Sequence, residues 1–270
     1  MKNFKRFTSV LVFCLMMLSA CAARAADETV IVFAAASMTE SMNKIAELYK
    51  ETAPNVEIVY NFDSSGTLKT QIQEGADCDV FISAGQRQMD QLDISADQSV
   101  NTEKLDFVQQ DSRFNIVSNR VVLITPKGKN PKGISDFRDA ATDKVSLITL
   151  GNSDVPVGQY SQEIYTKLGL WDQLNSANKI SFASNVKEVL AQVASGSVDC
   201  GVVYSTDAAT SPEVEIVADA PAESHSPITY PAAILKTAKN ESAAKNFVEF
   251  LKGEKASQVF TSIGFSIPEK

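Results

Sequence analysis

Two segments of this chain read as copies of one another, and that restricts the folds open to it. Leu68-Lys-Thr-Gln71-Ile-Gln-Glu-Gly75-Ala-Asp77-Cys78-Asp-Val-Phe-Ile-Ser83 can be laid over Leu190-Ala-Gln192-Val-Ala-Ser-Gly196-Ser-Val-Asp199-Cys200-Gly-Val-Val-Tyr204-Ser205, with one extra residue in the second turn. Each reads as the end of an amphipathic helix, a glycine C-cap, a short acidic turn and a buried strand. Helix–Gly–Asp–strand is also a device that any α/β protein can reuse, so the order of the flanking elements has to carry the argument.

That order supports duplication. A first series runs Val30–Phe33 strand, Met38–Lys50 helix, Val56–Tyr60 strand, Thr67–Gln73 helix, Asp79–Ile82 strand. A second runs Val121–Thr125, Ser146–Leu150, Gln159–Leu168, Ile180–Phe182, Val186–Ala194, Gly201–Tyr204. Strands and helices alternating at this spacing form parallel sheets with right-handed crossovers. Pro231–Leu235 reads as one further strand, followed by helices at Ala243–Lys252 and Lys255–Ile263. The economical arrangement is two α/β lobes, with the C-terminal strand and helices returning to the first. Lobe 1 then comprises residues 27–116 plus 231–270 and lobe 2 residues 117–230, and a ligand lies between them at the carboxyl ends of the strands.

Residues 1–26 read as a signal peptide. Lys2, Lys5 and Arg6 form a basic start, and Val10–Leu18 an apolar run too short for a permanent span. Leu18-Ser-Ala-Cys21 has the form of a lipobox, in which Cys21 is lipidated; Ala23-Arg-Ala25 has the form of an ordinary cleavage site before Ala26. Either one puts the mature protein outside the cytoplasm, lipid-anchored to the membrane or soluble. Cys14 leaves with the signal, so Cys78 and Cys200 are the cysteines of the folded body, which rules out a disulfide scaffold. Their places in the two copies put them in different lobes.

The full chain carries −8, and cleavage before Cys21 removes Lys2, Lys5 and Arg6 and takes it to −11. Nucleic acid is excluded as a partner on that balance. An anionic ligand would have to be held by local dipoles against the sign of the whole molecule.

Four helix starts follow strands and are suited to that task, because their first backbone N–H groups have no partner within the helix. In Thr29-Val-Ile-Val-Phe-Ala-Ala-Ala-Ser37, Ser37 stands at an expected N-cap with Glu40 in capping-box spacing. Phe62-Asp-Ser-Ser65-Gly66-Thr67 offers two hydroxyls beside a glycine. Gly151-Asn-Ser-Asp-Val-Pro156-Val157-Gly-Gln-Tyr160 has proline near the first helical position, and Ser184-Asn185-Val186 has Asn185 as a cap. Ordinary capping accounts for each alone; four at corresponding strand ends suggest a shared oxyanion. Tyr204, closing the second repeat, adds a phenol or is a tyrosine at the edge of the core. Enzyme signatures are few. His225 is the one histidine, so a Ser-His-Asp hydrolase would depend on it, and no G-x-S-x-G, P-loop, H-E-x-x-H or paired C-x-x-C occurs.

Taken together, Val-Phe-Ala-Ala-Ala-Ser37, Phe62-x-Ser-Ser65-x-Thr-Leu68, Asp79-Val-Phe-Ile-Ser-Ala, Val155-Pro-Val-Gly158-x-Tyr160, Gly201-Val-Val-Tyr204-x-x-Asp207 and Tyr230-Pro-Ala-Ala-Ile resemble the molybdate-binding proteins of bacterial ABC uptake systems, from about residue 29 to the Phe260–Phe265 region. The resemblance implies a two-lobed type II periplasmic-binding-protein fold, with mixed, mainly parallel sheets, helices on both faces and a ligand cleft between the lobes. It implies a tetrahedral oxyanion, molybdate or tungstate, as ligand rather than any cofactor, delivered by a monomer to an ABC permease. The oxyanion, and the metal within it, would be held by the hydroxyls and amides of Ser37 and Ser65, the amides of Val157 and Val186, and the hydroxyl of Tyr204. Sulfate or another tetrahedral oxyanion is the alternative ligand on the same fold. Asp63 departs from the small or serine residue usual beside Ser65, and is expected to point outward.

Overall fold

The computed structural model describes residues 28–268. The signal peptide, Cys21 and both cleavage strings lie outside those residues. The chain runs through β1 (Glu28–Ala35), α1 (Thr39–Thr52), β2 (Val56–Asp63), α2 (Ser65–Gln73), β3 (Val80–Ile82), α3 (Gln86–Asp90) and β4 (Phe114–Ser118). It continues through β5 (Val121–Pro126), β6 (Ile148–Gly151), α4 (Pro156–Lys167), α5 (Trp171–Ser176), β7 (Ile180–Ala183), α6 (Val186–Ala194), β8 (Cys200–Tyr204), α7 (Ser205–Ala209) and β9 (Val214–Asp219). It closes with β10 (Thr229–Ile234), α8 (Glu241–Leu251) and α9 (Glu254–Ile263).

These strands form two sheets of matching order, β2-β1-β3-β10-β4 and β7-β6-β8-β5-β9. In each, three parallel strands are followed by one antiparallel strand that carries an antiparallel edge. The sheets are therefore mixed, not purely parallel, because β10 and β5 enter from the crossings between the lobes. Sequence reasoning missed the two outer strands, β4 and β9. Both are half-buried edges with two polar residues in a short run, where a periodic signal is weakest. β10 pairs Thr229 with Ser118 and Tyr230 with Val117. Both strands thus continue past positions 116 and 231 within the first sheet, and the chain crosses at 119–120 and 220–228.

The repeat is visible as β3 and β8 at the centres of the two sheets, each entered through a left-handed glycine, Gly75 (φ +89°) and Gly196 (φ +74°). Its register differs from the sequence overlay. Asp79 donates its N–H to Ile31 and accepts the Ile31 N–H on Oδ2, and Asp199 repeats the pattern with Leu147. Asp79 is therefore the counterpart of Asp199, and Ala84 of Tyr204. The cysteines are not equivalent: Cys78 precedes β3 whereas Cys200 opens β8, and both are free and buried.

Helices pack by their apolar stripes. α1 buries Met42, Ile45 and Tyr49 at helical spacing, and the Tyr49 ring meets Phe247 of α8 at 5.1 Å edge to face. α6 buries Val186, Val189, Leu190 and Val193. One continuous apolar core runs through both lobes, and a smaller one around Phe33, Leu68, Phe81 and Met89 fills the other face of the first sheet.

Candidate functional site

The four helix starts converge on one small space between the lobes. The cavity is small, about 10 Å³, and Ser37, Ser65, Val157, Val186 and Tyr204 all line it. Asp63, Ser64, Ala84 and Pro156 complete much of the wall, and no lysine, arginine or histidine is among the lining residues. So little space leaves no room for a larger organic molecule, whose sites run from roughly 300 Å³ upward. A larger concavity of about 710 Å³ opens on the first lobe beside Gln86, Asp93 and Arg113. The Arg113 guanidinium there is already paired with Asp90 and Asp93.

Ser37 is not a helix cap. It lies inside a single 3-10 turn, Ala36–Met38, whose start has no side-chain cap, and α1 begins two residues later. Glu40 accordingly does not close a capping box. Its two oxygens lie 2.8 Å from Lys187 Nζ on the other lobe. Released from capping, the Ser37 hydroxyl sits 3.0 Å from that of Tyr230.

The second junction divides its labour. Ser64 caps α2 by accepting from Thr67 N–H at 3.1 Å, and Ser65 becomes the first helical residue, fully buried. Ser65 Oγ accepts the Ala84 N–H at 2.9 Å, which leaves its own proton free for the cavity. Gly66 donates its N–H to Asp154 carbonyl across the cleft at 3.0 Å. A Cβ here would stand 2.3 Å from that oxygen, so the lobes close this far only with glycine at the position.

In the second lobe, Val155 and Asn185 occupy the N-cap positions of α4 and α6. Asn185 accepts from Glu188 N–H at 3.0 Å, and Glu188 returns a bond from Ser184 N–H at 2.7 Å. Val157 and Val186 therefore fall in the first turn of each helix, where the N–H has no carbonyl within the helix and the positive end of the dipole is exposed. Tyr204 ends β8, and its hydroxyl donates to Ala84 carbonyl at 3.3 Å. Burial pushes its pKa well up, so the phenol keeps its proton and remains a donor.

Asp63 does not point outward. Its Oδ1 accepts from Ser64 N–H at 2.7 Å and faces Asn185 Nδ2 at 3.4 Å, so it clasps the cleft from within the wall. Its backbone amide partner holds it there. Sequence reading also missed a charged group behind the site. Lys187 Nζ is 3.2 Å from Asp207 Oδ1, and Asp207 is fully buried. Burial raises the Asp207 pKa to about 6, against the opposing pull of Lys187. The missed signal was the Asp207 side chain one turn beyond Tyr204, in a helix of only five residues.

His225 lies outside the cavity. It is half-buried, its Nδ1 is 2.7 Å from Ser226 carbonyl, and its ring packs edgewise on Tyr160 at 5.8 Å. Neither Ser37 nor Ser65 has an imidazole partner, so neither is arranged as the nucleophile of a Ser-His-Asp triad. Among the described residues no group of three or more His, Cys, Asp or Glu stands together to hold a cation, and no helix is long and apolar enough to cross a membrane. What the arrangement can do chemically is surround a small anion with neutral donors, each able to make a charge-assisted hydrogen bond without burying a counter-charge.

Comparison with known proteins agrees with this geometry. The model of the bacterial extracellular solute-binding protein family matches residues 30–266. The molybdate-binding protein ModA of Haemophilus influenzae is 36% identical over 245 residues, covering 90% of this chain and 91% of that protein. Among solved structures, the periplasmic molybdate-binding protein of Azotobacter vinelandii superposes with a TM-score of 0.76 at 25% identity, covering 89% of this chain and all of that one. The sulfate-binding protein SubI of Mycobacterium tuberculosis reaches 0.72 at 16% identity, covering 90% and 88%, which speaks for the fold alone.

Proposed function

This chain belongs to the bacterial extracellular solute-binding proteins, and we propose that within that family it captures molybdate or tungstate for an ABC importer. The observation that carries the proposal is the convergence of Ser37, Ser65, Val157, Val186 and Tyr204 from two lobes on one small cavity without a lining cation. The 36% identity to a protein named for molybdate binding supports the choice of ligand. Ser37 and Ser65 supply hydroxyl and amide donors, Val157 and Val186 amides, and Tyr204 its phenol.

Capture is a closure reaction. Ser37 and Ser65 belong to the first sheet's helix starts, and the other three to the second's, so the full donor set exists only when the lobes meet. Tyr204 exchanges its long bond to Ala84 for the anion. Selectivity over sulfate follows from cavity size, since both anions are dianions with four acceptor oxygens. The protein acts as a binder and not an enzyme, passes its cargo to a membrane permease as a monomer, and is held at the outer face of the membrane by lipid on Cys21.

Calorimetric titration with molybdate, tungstate, sulfate and phosphate tests the assignment. Molybdate or tungstate should bind with a Kd of about 1 μM or below, worth about 8 kcal/mol or more. Sulfate bound more tightly than both would sink it. Mass spectrometry of the mature N-terminus checks the anchor, which a free Ala26 terminus would refute.

A further inference from the structure

Among the described residues a single ion pair joins the two lobes, and it lies beside the helix starts that carry the donors. Glu40 stands in the first turn of α1, shortly after Ser37, and Lys187 follows Val186 at the start of α6. Lys187 Nζ is 2.8 Å from each Glu40 carboxylate oxygen. The other ion pairs among those residues each fall within one lobe. Neither Glu40 nor Lys187 lines the cavity.

The bridge has a fixed side and a side that can leave. Asp207, fully buried just after Tyr204, lies 3.2 Å from Lys187 Nζ within the second lobe. Its oxygens have no hydrogen-bond partner, so this ion pair is the contact that balances its charge. Burial works against charge on Lys187, but Asp207 and Glu40 outweigh it and raise the pKa above the ordinary lysine value. The second lobe thus holds a cation and presents it to the first. Glu40 has a side chain 40% exposed, so water can solvate its carboxylate once the lobes part.

We propose that Glu40 and Lys187 are positioning residues that latch the lobes shut, clamping together the helix starts that carry Ser37 and Val186. The proposal rests on the oxyanion-binding reading given above and adds a contact remote from the anion itself. The latch stabilises the closed protein and not a particular cargo, so it lengthens the stay of every anion that fits by one factor. It forms only when the lobes meet, which places its effect on release.

Glu40→Gln is the primary test, because it removes the charge and keeps the size of a part-exposed side chain. Stopped-flow release of molybdate and of tungstate should speed up by about fivefold, the size expected of a partly screened pair. The factor should be the same for both anions. On a Lys187→Met background Glu40→Gln should have no further effect, because the two residues act as one contact. If thermal melting shows Lys187→Met unfolded, Glu40→Lys carries this arm: a cation facing Lys187 should speed release beyond the glutamine variant.

Unaltered release in Glu40→Gln, different factors for the two anions, or an undiminished effect on the Lys187→Met background would overturn the latch. So would release from Glu40→Lys no faster than from Glu40→Gln. Failure of the parent to bind any tetrahedral dianion would instead overturn the reading of the site. In that case spin labels on the two lobes decide the latch alone. The ligand-free Glu40→Gln protein should show a larger share of long interlobe distances than the parent, and identical distance distributions reject the proposal.

Discussion

Ser65 is the residue on which the site turns, being fully buried, committed as an acceptor to Ala84 and left with one proton for the cavity. Ser65→Ala should weaken oxyanion binding by roughly 1.5–3 kcal/mol, the range for a hydrogen bond to a charged group, and calorimetry on the variant measures it. Unchanged affinity would reduce the residue to helix packing. Asp207 makes a prediction in pH. Its carboxyl is raised from 3.8 to about 6 by burial, so the folded chain holds this proton over a range where the unfolded chain has lost it. Its contribution is therefore fully present below about pH 4 and declines as pH rises to about 6. Urea titrations of the parent and of Asp207→Asn should show a stability difference that moves against the parent across that window and is flat above it. A difference independent of pH would mean that Lys187 holds the carboxylate ionised throughout. At this scale the sequence was informative wherever a residue type has a local job. Ser65, Val157, Val186 and Tyr204 could be read from strand–helix junctions. The contact of Ser37 with Tyr230 could not, because it joins positions 193 apart in the chain.

Among the elements, α2 shows how a helix start serves the meeting of lobes. Gly66→Ala has opposite expected effects in the two states. Alanine suits a helix better than glycine by about 0.5–1 kcal/mol, so the thermal stability of the unliganded protein should hold or rise. In the closed form the new methyl would collide with Asp154 carbonyl, which stands 2.3 Å from its ideal place. Affinity should fall by about tenfold or more, equivalent to a strain of at least 1.4 kcal/mol. Parallel melting and titration curves separate the two effects; a loss of both together would point to misfolding. The alternation of strands and helices was legible because long apolar runs and amphipathic helices carry strong periodic signals. The edge strands β4 and β9 and the short helices α3 and α5 were not, since five or six residues hold too few turns or alternations to stand out from their loops. The repeat itself was legible but its register was not. Paired cysteines drew the overlay two residues away from Asp79 and Asp199, whose shared role is a bond to the neighbouring strand.

For the whole molecule, the sign of the charge and the sign of the cargo conflict. A chain of net −8 repels an approaching dianion at long range, while the cavity attracts it only at contact. Stopped-flow association should therefore speed up as salt is added toward physiological ionic strength, where charges beyond about 8–10 Å are screened. An association rate that slows with salt would mean that a local positive field steers the anion in. The two sheets also share one strand order and are joined by two crossings, so each carries its donors as a pre-built half-site. With the proposed donors, neither half alone is a good chelator of a dianion: one has two serines, the other two amides and a phenol. Separating the halves dismantles the ligand's coordination shell without titrating a single group. A membrane partner that pulls the lobes apart thus needs only mechanical leverage to empty the protein, and unloading can proceed at constant pH.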